Sequence, residues 1–161
     1  MINLKDKNIL YITHSYKDWI KDPIQIISKE FNHVYVLVLH KPIADILELF
    51  SFPIILKLED LIFKQNHRIY TSKYRIQKDN LPSNVTVIET PIFYLPFKFW
   101  IDRIGDLHLN AVIKVIKKYG IKFDMVHSHI TWSAGYVGMK LKELYNVPFI
   151  LTTHGRDVYQ R

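Results

Sequence analysis

The chain has 161 residues, of which 48% are hydrophobic and 23% charged, with a formal net charge of +7 and a pI near 9.5. That length suits one domain able to bury roughly 70% of its unfolded surface, and a mean hydropathy of -0.01 is too high for a disordered chain. With no cysteine, a disulfide framework, a thiolate metal site and a Cys nucleophile are excluded, and a reducing compartment is the natural setting.

The opening Met1-Ile2-Asn3-Leu4-Lys5-Asp6-Lys7 has no long apolar core, so a signal peptide is not expected and a cytoplasmic location is. Asn8-Ile9-Leu10-Tyr11-Ile12-Thr13 is a short apolar run rich in β formers and reads as a buried first strand. Asp22-Pro23 reads as a helix start, with Asp as N-cap and Pro in the first helical position, followed by Ile24, Ile27 and Phe31 at helical spacing. Val34-Tyr35-Val36-Leu37-Val38-Leu39 is a second buried strand. Strand, helix, strand over so short a span forms a βαβ unit, which requires a parallel sheet and a right-handed crossover.

Residues 42–58 are strongly apolar, but Asp45, Glu48 and Lys57 interrupt them; a spanning helix needs about 20 apolar residues. Helical character runs on to Lys64 with a break near Pro53. Lys64, Arg68, Lys73, Arg75 and Lys78 then follow with no acid among them. A solvated loop and a surface meeting an anionic membrane are both open readings, each cation adding about 1 kcal/mol in the second. The net charge also suits a phosphorylated substrate. Nucleic acid is not expected, because no zinc finger or RNA-recognition signature is present.

Val85-Thr86-Val87-Ile88 is a third strand, and an aromatic segment follows over 91–100. Residues 106–119 form a helix with Leu109, Val112, Ile113 and Ile116 on one face and Gly120 at its C-cap. A strand over 123–128, a helix over 134–145 capped by Ser133 with Val137, Leu141 and Leu144 inward, and a turn at Asn146-Val147-Pro148 lead to a last strand over 149–153. The order predicts a single α/β domain over 1–161, a Rossmann-like doubly wound parallel sheet.

In such a sheet, ligands bind beyond the carboxyl ends of the strands, and His14, His40, His129 and His154 stand at four of those ends. His127 and His129, two apart on a strand, share one face. A helix start at Ser133 offers unpaired N–H groups to a phosphate or sugar oxygen, and Gly135 and Gly138 permit a ligand or another backbone to approach closely. Thr153-His154-Gly155-Arg156-Asp157 is expected to share the crevice with His129. Zinc held by His127, His129, His154 and Asp157 is a weaker alternative.

The run FDMVHSHITWSAGYVGMKLKELYNVPFILTTHGRDVY over 123–159 resembles the closing half of the N-terminal domain of retaining glycosyltransferases of family 4. It shares their Asp-x-x-His-x-His strand end, small-residue helix start, x-Pro turn and Thr-x-His-Gly-x-Asp loop. The resemblance implies the acceptor-side half of a GT-B architecture, serving transfer from a nucleotide-sugar donor to an acceptor hydroxyl of glycolipid or polysaccharide type, with no further cofactor. It places His129 at the transferred sugar as the catalytic position. His14, His127, Ser133, His154, Gly155 and Asp157 become substrate-binding positions. The Glu-x7-Glu carboxylate pair of the donor-binding domain has no counterpart here, so that domain is expected in trans or in a missing C-terminal part, and the isolated chain is expected to be inactive. The alternative is a non-catalytic binding or membrane-docking subunit of a split enzyme at the inner face of the membrane. The glycine pair frequent in the family's first loop is also missing, since that loop reads His14-Ser15-Tyr16-Lys17-Asp18-Trp19.

Overall fold

The computed structural model describes residues 3–43, 76–93 and 102–154. Five strands, β1 (Asn8–Thr13), β2 (His33–His40), β3 (Val85–Pro91), β4 (Met125–His129) and β5 (Phe149–Thr152), form one sheet in the order β3-β2-β1-β4-β5. All four pairings are parallel. The order reverses direction at β1, so the crevice between β1 and β4 is the topological switch point of a Rossmann-like sheet.

Alternation along β1 separates two cores. Ile9 and Tyr11 pack with Tyr16, Ile20, Ile24 and Phe31 on one face. Leu10 and Ile12 pack with Val112, Ile116, Val137 and Leu141 on the other. Ile20 and Ile24 come from helix α1 (Asp18–Ser28), Val112 and Ile116 from α2 (Ile104–Tyr119), and Val137 and Leu141 from α3 (Tyr136–Tyr145), while Tyr16 and Phe31 flank α1. Both faces are covered, which explains the near-continuous apolar runs in β1 and β2.

Three local expectations are corrected. α1 begins at Asp18 and carries Pro23 inside it; Pro23 has no N–H for the Trp19 carbonyl, and burial of Ile20 and Ile24 outweighs that loss. Ile27 therefore turns outward, and Phe31 packs into the core from beyond the helix end. Leu144 is exposed, because the stripe of α3 that meets the sheet runs through Val137 and Leu141. Ser133 caps no helix: a π-helical turn (Thr131–Gly135) intervenes, and α3 starts without a side-chain cap.

Asp124, the acid of the Asp-x-x-His-x-His run, sits at the opposite end of β4 from the histidines. Its carboxylate accepts from the Asn8 amide at 2.8 Å and from Lys7 Nζ at 2.9 Å. The Asn8 amide, then Lys7, hold its carboxyl below the usual carboxylate range. Its contribution is to fix where β4 starts against β1. Among the described residues, no helix is long and apolar enough to cross a membrane. The basic stretch lies outside the described residues except for Lys78, as do residues 44–58 of the apolar stretch.

Candidate functional site

Parallel register sets Tyr11 of β1 beside His127 of β4. Both side chains rise on the α1 face, with ring centroids 4.8 Å apart. His129, two residues on, stacks on His127 at 4.7 Å and 23°, as the spacing of two predicts. Beyond β5, His154 stacks on His129 at 5.6 Å and 12°, with His129 Nδ1 and His154 Nε2 3.4 Å apart. Trp19, from the first turn of α1, meets His154 edge-on at 4.2 Å. A continuous column of rings thus runs from buried Tyr11 to exposed Trp19 at the carboxyl edge of the sheet.

Burial decides the charge of this column. Desolvation holds the His127 imidazole down to about 4. His129 is likewise held to about 4, by desolvation first and then by its two neighbouring imidazoles. Both rings are neutral at physiological pH, each with one donor and one acceptor nitrogen. His127 spends Nε2 on the Thr152 hydroxyl at 2.8 Å. His129, the more deeply buried of the pair, reaches His154. Burial also pushes the Tyr11 phenol up to about 12, and its hydroxyl has no partner among the described residues.

On the opposite face, the chain turns just past β4 at Ile130, whose φ of 77° is rare for a β-branched residue. Two main-chain bonds hold that turn: Ile130 N to Thr152 O at 3.0 Å, and Gly135 N to Ile130 O at 2.9 Å. The turn delivers Ser133 into a second cluster. Its hydroxyl lies 2.8 Å from Nδ1 of His108 and 3.5 Å from Nε2 of His14. Its backbone N–H donates to the same His14 nitrogen at 3.4 Å.

The four strand-end histidines are therefore not equivalent. His129 and His154 come together as expected, His14 joins Ser133 and His108, and His40 pairs with Glu89 at 3.1 Å on neighbouring β3. Gly155 and Asp157 lie outside the described residues. Among the described residues, no group of three or more His, Asp or Glu converges as a metal site. Gly138 serves packing: a Cβ there would collide with the Ser128 hydroxyl and the Phe149 ring. A Cβ at Gly135 would be in tight contact with Leu151 and the Ile130 carbonyl, at 3.1 and 3.2 Å, short of the collision at Gly138. In the first loop, Thr13 Oγ1 donates to the Ser15 carbonyl at 3.0 Å, a side-chain tie where the family often has glycines.

His108, Tyr11, Thr152 and Trp19 belong to this region and were not singled out from the sequence. The signal for His108 is its place one turn before Val112 on the inward stripe of α2; for Tyr11, it is its parity with the strand that carries the histidines.

The family described as Glycosyltransferase Family 4 matches residues 63–161. This chain belongs to glycosyltransferase family 4. It is 36% identical over 45 residues to the D-inositol 3-phosphate glycosyltransferase of Corynebacterium diphtheriae, and 33% identical over 45 residues to that of Corynebacterium jeikeium. Each match covers 28% of this chain and 10% of the relative. A crystal structure of NadR protein in complex with NAD and AMP-PNP is similar with a TM-score of 0.48 and 14% identity, over 96% of this chain and 40% of that one. Within the family 4 chain, both clusters fall inside the matched region except for His14, Tyr11 and Trp19, which the first strand and its loop bring to it.

Proposed function

We propose that this family 4 chain is the acceptor-side domain of a retaining glycosyltransferase, moving a sugar from a nucleotide-sugar donor to a hydroxyl of a glycolipid or polysaccharide acceptor. The observation that carries the reading is His129: buried, neutral, stacked between His127 and His154, and set at the carboxyl end of β4 beside the switch point. A neutral imidazole can donate to one sugar oxygen and accept from another. A charged one would lack the acceptor. Rigid placement between two rings supports a role in orienting the transferred sugar. His154 and His127 hold that ring in place, and the net positive charge suits a phosphate-bearing substrate.

In this reading, leaving-group stabilisation comes from a donor-binding domain, in the rest of the protein or in trans, and the 161-residue chain alone does not turn over. The test is transfer of radiolabelled sugar by the enzyme reconstituted with its donor-binding part. His129→Ala should lose most turnover while the domain's circular dichroism stays unchanged. Undiminished turnover in a folded His129→Ala protein removes His129 from the reaction.

A further inference from the structure

Trp132 lies outside both cores. It stands 51% exposed in the turn that follows β4, next to Ser133, whose amide and hydroxyl reach His14 just beyond β1. That is the carboxyl edge of the sheet at the switch point, where ligands of such sheets bind. A single exposed aromatic residue needs no explanation. This one is seated on groups that hold it.

The seat is built by the first turns of α2 and α3. Gly105 is buried in the first of them, and a Cβ there would come within 2.9 Å of the Tyr136 ring and 3.0 Å of the Trp132 indole. Both rings therefore occupy space that a side chain would fill. Tyr136 opens α3, and its hydroxyl donates to the Asp106 carboxylate at 2.6 Å, which ties its ring across to α2. The two ring centroids are 5.8 Å apart and tilted at 54°. The indole is thus held before any ligand arrives, and little side-chain freedom remains to be lost on binding.

The groups around the rings select among ligands. A purely apolar partner would take the exposed Asp106 carboxylate out of water without offering it a donor, and a phosphate would be repelled by it. A pyranose ring suits both features: the C–H groups of one face pack on an indole, and the hydroxyls at its rim donate to a carboxylate oxygen. We propose that Trp132 is a stacking platform for a pyranose ring of the acceptor, held in position by Gly105 and Tyr136, with Asp106 accepting from one of the sugar's hydroxyls. The acceptor is then a molecule that already carries sugar. That the bound ring belongs to a transfer substrate rests on the function proposed above; the stacking contact does not.

The test is saturation-transfer NMR on the full chain with methyl glucopyranoside, methyl galactopyranoside and methyl mannopyranoside, irradiating aromatic protons. For at least one of the three, transfer should be strongest at the C–H groups of one ring face. Sorbitol, which has the hydroxyls without the rigid face, should receive little. Trp132→Ala should weaken the affinity by about tenfold, and Trp132→Phe by less, because a smaller ring still stacks. Gly105→Ala should weaken it with Trp132 still present, since the new methyl group displaces both rings; if that variant does not fold, the two Trp132 variants decide. No transfer to any of the three pyranosides, or transfer unchanged in Trp132→Ala, overturns the inference. In the reconstituted enzyme, Trp132→Ala should raise KM for the acceptor and leave KM for the nucleotide sugar unchanged; the opposite split overturns the assignment to the acceptor. Binding is read here without turnover, so a reconstituted enzyme that transfers no sugar would remove the proposed function and leave the platform standing.

Discussion

His129 and His154 lie with their rings 12° from parallel and facing nitrogens 3.4 Å apart, so one of the two nitrogens carries the shared proton and the other its lone pair. Adding a second proton between them would place a charge in a dry site with two N–H donors face to face. Burial nonetheless contributes most to keeping His129 neutral, with His127 and His154 secondary. Replacing His154 by Phe, which keeps a ring over His129, should therefore leave the His129 pKa well below 6.5 in an NMR titration. A rise to an ordinary histidine value would show that the charge pair, and not burial, governs the site.

Stability should fall on acidification. His108, His127 and His129 all have folded pKa values below the ordinary 6.5, at about 3, 4 and 4. Between pH 6.5 and 4 the unfolded chain takes up protons that the folded chain refuses, so the fold loses stability as pH drops through that window and is flat above about pH 7. Fully buried His108 alone should contribute up to ~1.4 kcal/mol per pH unit. Urea unfolding at pH 7.5, 6 and 5 measures this, and equal midpoints at the three values would contradict neutral burial of these rings.

Gly138→Ala should destabilise the domain by about 1–3 kcal/mol, the usual range for overpacking, because the new methyl group meets the Ser128 hydroxyl and the Phe149 ring. Gly120→Ala supplies the contrast. There the space is open, but φ is +60°, a left-handed conformation costing an L-residue roughly 1–2 kcal/mol. Thermal denaturation of both checks the pair, and only the Gly138 variant should also move the NMR signals of β4 and β5.

Asp124→Ala should cost about 1 kcal/mol through the lost bond to the Asn8 amide, with the solvent-exposed Lys7 pair adding little. The folded carboxyl is held low, so its contribution is present above the ordinary aspartate value and disappears as pH falls below that range. The ring signals of His127 and His129 should be unmoved. A change there comparable to the loss in stability would mean that Asp124 acts on the site and not on strand register.

The sequence by itself determined the strands, the parallel doubly wound architecture and the family, because these follow from local periodicity and contiguous motifs. Apolar runs could pack only in a sheet buried on both faces, and the two-residue spacing of His127 and His129 was enough to stack them. It could not show that Ser133 serves two histidines instead of a helix start, since that depends on the turn at Ile130. Nor could it show that His108, an ordinary-looking position on an amphipathic helix, lies against the loop after β4. Beyond the expected meeting of His129 and His154, tertiary structure decided where the other two strand-end histidines go. Helices cover the two faces of the sheet separately, so His129 and His154 gather on the α1 side and His14 with Ser133 and His108 on the other, while His40 pairs with Glu89. The physical reason is that side-chain direction alternates along a strand, but the residues beyond its end are aimed by turns that only the packed neighbours fix.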